Sequence, residues 1–237
     1  AYRLIGMFTL AEKHLIRPLA WAELGLVGGG TTLLALGFLL QLPAFVGQIG
    51  AVAILAGFIA FALQMRRLYS KRMRKAFDIH VPFALLAGGA GIVASATLVY
   101  GLVRHVSPVD PLWMGTGYLA ILGVAGTAIQ GFFYKISTFL VWLKRYAPVA
   151  GRQQVPKLEE LYDKWLALVG FWFWFAGLVG GWVIIIADWP VLPLVGLVLI
   201  AGATCFVINV ISIARHWTKG QWRGIGGLVV GRVVSAR

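Results

Sequence analysis

The chain has one cysteine, Cys205, among its 237 residues. A single thiol cannot form a disulfide within the chain. It also cannot supply a Cys₂ or Cys₄ metal site or the ligands of an iron–sulfur cluster. We therefore interpret Cys205 as a small apolar residue of a helix.

Acidic residues are also scarce, with 8 Asp and Glu against 21 Lys and Arg, which gives a net charge of +13. A basic balance of this size can indicate a nucleic-acid partner. Here, however, 20 of the 21 basic residues fall in four segments separated by apolar stretches that hold only Arg104. Those segments are 1–20, 66–78, 135–164 and the tail from Arg215. This distribution is typical of membrane topology, so we predict a lipid bilayer as the partner and no nucleic acid.

Long stretches lack charge altogether. The 42 residues between Glu23 and Arg66 contain no acidic or basic side chain, and four later stretches of 23 to 26 residues are equally free of charge. A bilayer core about 30 Å thick requires about 20 apolar residues of helix. Because the first stretch is too long for one span and contains Pro43 near its middle, we divide it in two. The sequence therefore predicts an all-α polytopic membrane protein with six transmembrane helices.

The predicted spans give three regions. Residues 1–20 form an inner interfacial segment or the end of a missing helix, 21–214 the six-helix transmembrane domain, and 215–237 a basic cytoplasmic tail. The spans themselves are predicted at about 21–41, 47–65, 79–103, 112–143, 165–187 and 191–214. The four inner segments then carry 3, 6, 6 and 5 basic residues. Basic loops stay on the cytoplasmic side, so the loops at 66–78 and 144–164 and both termini are predicted to face the cytoplasm.

Two short segments of the chain echo each other. Residues 2–10 read YRLIGMFTL and residues 134–142 read YKISTFLVW, and each precedes a pair of spans. Internal repeats are common in membrane folds. If this one is real, the first copy also closes a membrane helix, and the six spans belong to a larger repeat with a further N-terminal helix. A chance match is the alternative.

Chemistry-bearing side chains are few. We place His14, His80 and His216 near the inner side and His105 just outside the outer end of span three. His80 and His105 are the candidate cofactor-binding residues. The alternative for each is an interfacial histidine that caps a helix or meets headgroups. Glu23 is placed at the entrance of span one, and Lys135 about one turn before the inner end of span four, where its side chain can snorkel. We predict no catalytic residues and no metal site, because neither an acid–base pair nor a ligand cluster lies at membrane depth.

The segment 112–165 carries a resemblance. Its Leu122-Gly123, Gly131, Tyr134-Lys135 and Arg145-Tyr146 resemble a helix of small bacterial membrane proteins related to the catalytic subunits of haem–copper oxidases and nitric-oxide reductases. In those proteins a histidine often lies near the start of this helix, whereas this region has Trp113, Gly115 and Tyr118. The resemblance implies a bacterial inner-membrane location, a respiratory setting and haem as the cofactor to consider.

Three functions follow as hypotheses. The first is a non-catalytic or haem-associated subunit of an electron-transfer complex, which the resemblance and the glycine-rich helix faces favour. The second is a membrane scaffold or assembly factor without a cofactor. The third is a small-molecule transporter, which requires broken helices and buried polar groups. We further expect that no haem is held between two of the chain's own histidines on the outer half of the membrane, because only His105 lies there.

Overall fold

The computed structural model describes residues 15–71, 78–150 and 154–218, and six helices account for most of them. Each is long and apolar enough to cross a membrane. They are α1 (Arg17–Leu39), α2 (Ala44–Ser70), α3 (His80–Val103), α4 (Pro111–Arg145), α5 (Lys164–Ile186) and α6 (Leu192–Thr218). Two single-turn 3₁₀ helices, Ala147–Val149 and Leu158–Glu160, lie in the loop between α4 and α5. The predicted all-α fold with six spans is confirmed.

Several helices extend beyond the apolar stretches that predict them. Helix α1 begins at Arg17, four residues before the predicted start, because Pro18 lies in its first turn, where a missing N–H costs nothing. Helices α2 and α4 continue to Ser70 and Arg145, since charged residues at the headgroups do not end a helix. Glu23 therefore lies six residues inside α1. Ten residues of helix follow Lys135, so its placement one turn before the end of the helix was wrong.

Neighbouring helices run antiparallel and pack in chain order, and α4 also packs against α6. Of the described Lys and Arg residues, all but Arg104 lie in the half of the bundle at which α1, α3 and α5 begin and α2, α4 and α6 end. We call this the basic end of the bundle and the other the opposite end. His14, the first copy of the internal echo and the tail beyond residue 218 lie outside the described residues, so the predictions on them stay predictions.

The three turns at the opposite end share one design. The second residue after each helix there has a positive φ: Gln41 at 49°, His105 at 51° and Asp188 at 52°. In each turn the next residue's N–H bonds back to a carbonyl five positions earlier, at 3.0 to 3.1 Å. This is the Schellman termination, which satisfies carbonyls that the helix leaves open. His105 therefore has a structural reason for its position, because histidine is among the residues enriched in this conformation.

Helices α1 and α2 cross with their backbones in close approach. A Cβ atom built on Gly30 would lie 2.7 Å from the carbonyl oxygen of Gly50, and one on Gly50 would lie 2.7 Å from the oxygen of Gly30. Backbone atoms of two packed helices cannot yield at that distance. Glycine at both positions is therefore what sets the spacing of this helix pair.

Helix α4 contains a π-helical segment, Leu119–Gly126, that the apolar pattern does not predict. Both of its flanks are tied to α5. The hydroxyl of Tyr118 donates to the carbonyl of Gly177 at 2.8 Å, and the indole N–H of Trp174 donates to Thr127 Oγ1 at 2.8 Å. These two hydrogen bonds fix the register of α4 against α5 on either side of the wider turn.

Candidate functional site: a buried polar cluster at the basic end

Polar side chains from several parts of the fold meet beneath the basic end, and we call them the basic-end cluster. Two come from the start of α3, two from α4, two from the loop before α5 and one from α6. In chain order they are Asp78, His80, Tyr134, Lys135, Tyr162, Asp163 and Asn209. Five of them are at least nine-tenths buried: the side chains of His80, Tyr134, Lys135, Tyr162 and Asn209.

A buried ion pair forms the first half of the cluster. The ammonium of Lys135 donates a short hydrogen bond to Asp78 Oδ2. Lys135 is 5% exposed and Asp78 is 17% exposed. His80 Nδ1 lies 3.6 Å from the same carboxylate oxygen, and His80 is 3% exposed. Two cationic or titratable groups thus share one carboxylate in a site largely closed to water.

The carboxylate of Asp78 is held in its charged form. Burial opposes its ionisation, but the adjacent His80 ring and the ammonium of Lys135, which donates a hydrogen bond to the carboxylate, hold the pKa of Asp78 well below its usual range. Burial, followed by the negative charge of Asp78, raises the pKa of Tyr162 well above its usual range. The cluster therefore contains an ionised Asp78 carboxylate with a neutral phenol beside it.

Asn209 organises the second half of the cluster. Its amide N–H₂ donates to Tyr134 Oη and to the carbonyl of Asp163, both at 3.2 Å, and its Oδ1 accepts from the Asp163 N–H at 3.0 Å. Asp163 in turn caps α5, because its Oδ1 accepts from Leu166 N–H at 3.0 Å. One amide side chain of α6 thereby joins α4 to the start of α5.

Gly131 allows α3 and α4 to approach closely enough for the cluster to form. A Cβ atom at this position would lie 2.5 Å from the Cβ of Phe83 and 3.4 Å from the carbonyl oxygen of His80. One turn further along α4 come Tyr134 and Lys135, which therefore face the start of α3. The ring of Phe83 packs against Phe171 of α5 at 5.1 Å between centroids, which closes the apolar side of the cluster.

The two candidate cofactor-binding histidines lie at opposite ends of the bundle. His80 begins α3 and His105 follows its end, so about 25 residues and about 37 Å of helix separate them. They cannot hold one group between them. His80 is buried beside Asp78 rather than lying among headgroups. His105 is exposed and lines a cavity of about 440 Å³ with Pro43, Pro108 and Trp113.

The remaining described residues add no metal site. No group of three or more His, Cys, Asp or Glu side chains in the described ranges is placed to hold a metal ion. His216 forms a hydrogen bond with a neighbouring residue, since its Nδ1 lies 3.0 Å from the hydroxyl oxygen of Tyr146. In the aromatic run 171–175, Phe171 and Trp174 are buried while Trp172 and Phe173 face outward, so the run serves both packing and the outer surface.

The chain matches no known protein family, curated protein or solved structure. The site must therefore be interpreted from its own geometry. Its ionisable groups contact one another and are largely buried. This arrangement is better suited to holding α3, α4 and α6 together than to binding and converting a substrate.

Sequence reasoning missed this cluster in two places. From the sequence alone, Asp78 only ends the basic segment 66–78, and Lys135 has a position from which its side chain can snorkel. The structure shows instead that Lys135 pairs with Asp78 across the α3–α4 interface. One signal was available: residues 136–143 after Lys135 are again uncharged, so this lysine lies within the helix rather than at its edge.

We expect the Asp78 carboxylate to contribute an acid-labile part of the stability. Its pKa in the folded protein lies below the ordinary 3.8, so below about pH 4 the unfolded chain binds a proton that the folded chain does not. Stability from this group is therefore complete above that pH and falls as the pH drops further. Thermal unfolding of the detergent-solubilised protein between pH 3 and 7 should show this loss, and Asp78→Asn should flatten it. Asp188→Asn, an exposed turn residue, is the control, and an equal flattening there would refute the assignment.

Proposed function

We propose that this protein is an integral membrane subunit of a bacterial respiratory or electron-transfer complex, with a structural or haem-associated role and no catalysis of its own. The observation that carries the proposal is the basic-end cluster, where the buried polar groups bond to each other. Catalysis needs acids, bases or metals placed around a space for substrate. The respiratory part of the proposal rests on the resemblance of the segment 112–165.

The exposed surface of α1 supports a place within a larger assembly. Only 6% of the apolar window of α1 is buried in the described fold, the lowest value of the six spans. Cβ atoms built on Gly25, Gly28 and Gly29 would meet nothing within 4 Å. Small residues on an outer helix face allow another helix to approach closely, since packing rather than water exclusion drives association in lipid.

A scaffold or assembly factor without a cofactor is the second candidate. The pairing of His80 with Asp78 favours it, because that histidine already has a structural partner. No observation on the described residues favours the transporter hypothesis. The proposed location is the bacterial inner membrane, with the basic end in the cytoplasm. That orientation is supported by the basic residues at one end of the bundle.

Extraction in mild detergent, followed by sizing, mass spectrometry and reduced-minus-oxidised visible spectra, tests the proposal. We expect the protein to migrate with other membrane subunits. A haem band that His105→Ala removes, while His80→Ala only lowers thermal stability, would assign the haem to the opposite end. Co-migration without a haem band would favour the scaffold. A monodisperse, catalytically active monomer with no co-purifying subunit would contradict both candidates.

A further inference from the structure

A long apolar groove runs down the outside of the bundle beside the basic-end cluster. It lies between α4 and the last turns of α6 and encloses about 730 Å³. Its walls are almost entirely apolar, and they include Ile129, Phe133, Ile136, Leu140, Ile213 and Trp217. Trp217 is 46% and Ile129 65% exposed, so the groove is open along its side.

The length of the groove corresponds to one lipid leaflet. From Ala128 to Val141, the residues of α4 that line it rise about 20 Å along the helix. Half of a hydrocarbon core about 30 Å thick is about 15 Å. An acyl chain lying in the groove would therefore reach from the middle of the membrane to the headgroup level.

Positive charge is placed at the headgroup end of the groove. The ammonium of Lys144 lies 4.3 Å from the ring centroid of Trp217, over the indole that closes the groove. This cation–π contact fixes the ammonium at the groove's mouth. The last turns of α4 and α6 also bring Arg145, Arg215 and His216 to this end, with no acidic residue among them.

We propose that this groove is a binding site for an anionic phospholipid of the leaflet at the basic end. One acyl chain lies along Ile129, Phe133 and Ile136, and the phosphate lies at the ammonium of Lys144. The charge at the mouth selects an anionic headgroup over a zwitterionic one, as basic pockets beside membrane helices do. The apolar walls alone would accept the chains of any lipid. The proposal is independent of the respiratory role proposed above.

The experiment uses the full chain in detergent or in nanodiscs. Phosphatidylglycerol and phosphatidylcholine with identical acyl chains are titrated, and lipid retention is read by native mass spectrometry and thermal stability. We expect the wild type to bind the anionic lipid about fivefold or more tightly, which is the effect of one basic residue near the headgroups. Lys144→Gln should abolish most of that preference. Lys71→Gln, which removes a cation at the end of α2, should keep it.

A second variant tests the groove itself. Ala214 lines it and is exposed, so Ala214→Phe should fill the space and weaken retention of both lipids while thermal stability without added lipid stays unchanged. A photoactivatable acyl chain should label the wild type within the groove, at residues 128–141 of α4 or 210–217 of α6. An equal loss of preference in the Lys144 and Lys71 variants would show only general attraction to a basic surface and would overturn the proposal. Unchanged lipid retention in the Ala214 variant, or labelling elsewhere, would also overturn it.

Discussion

Replacing Lys135 with methionine is expected to lower the free energy of unfolding by about 3–5 kcal/mol, because it leaves the Asp78 carboxylate buried without its charged partner. The two side chains are 5% and 17% exposed, so water cannot readily replace the lost ammonium. Reversible unfolding by SDS in mixed micelles measures the change. The double variant Lys135→Met with Asp78→Asn should recover much of the loss, since both charges are then absent.

A matched control for this variant lies in the same chain. Lys164 pairs with Glu159 at 2.7 Å, but Lys164 is 60% exposed, so Lys164→Met should cost less than about 1 kcal/mol. Equal destabilisation by Lys164→Met and Lys135→Met would mean that the buried ion pair of the basic-end cluster contributes no more to stability than an exposed one. Failure of the double variant to recover stability would point instead to the packing of the lysine stem.

Replacing Gly30 with isoleucine is expected to destabilise the contact of α1 with α2 by about 1–3 kcal/mol. The new Cβ would meet the carbonyl oxygen of Gly50 at 2.7 Å and the backbone nitrogen of Ile54 at 3.0 Å. Neither backbone atom can move without shifting α2. Thermal unfolding should show the loss, and a cysteine pair introduced across the two helices in a Cys205→Ser background should cross-link more slowly.

The adjacent glycine serves as the control. A Cβ at Gly29 meets nothing within 4 Å, so Gly29→Ile should leave the stability of the isolated chain within about 0.5 kcal/mol. The same variant should nevertheless weaken co-purification if a partner helix packs on this face of α1, as the proposed function requires. Equal destabilisation by the two variants would mean that the close approach of Gly30 to Gly50 does not decide the effect, because helix propensity favours isoleucine over glycine at both positions.

The residues that carry the resemblance of the segment 112–165 are also the residues that form or permit the basic-end cluster. Tyr134 and Lys135, which carry much of the likeness, are also central to the basic-end cluster through Asn209 and Asp78. Gly131, another matching position, permits the approach of Phe83. A structural requirement of the helix packing is therefore enough to explain a tyrosine and a lysine at these positions. Whether the protein binds a haem must therefore be tested by the visible spectra, because the presence of these residues does not indicate it.

The sequence by itself determined the number of helices, the turns between them and the end at which positive charge collects. The number of helices follows from comparing the length of each uncharged stretch with the length of helix that a bilayer of fixed thickness requires. The turns follow from residues such as Pro43 and Pro190, and the charged end follows from the positions of Lys and Arg. Each can be evaluated locally along the chain, so the predicted spans agree with the observed helices to within a few residues at most ends.

Only the tertiary structure decided which polar residues act together. Asp78 and Lys135 are 57 residues apart in the chain, and Tyr134 and Asn209 are 75 apart. Whether a lysine within a span snorkels or pairs depends on the rotation of its helix and on which neighbour approaches, here permitted by Gly131 against Phe83. The hydrogen bonds that tie both flanks of the π-helical segment of α4 to α5 depend on helix packing in the same way. Such partners are fixed by helix packing, which the pattern of apolar residues along one chain does not encode.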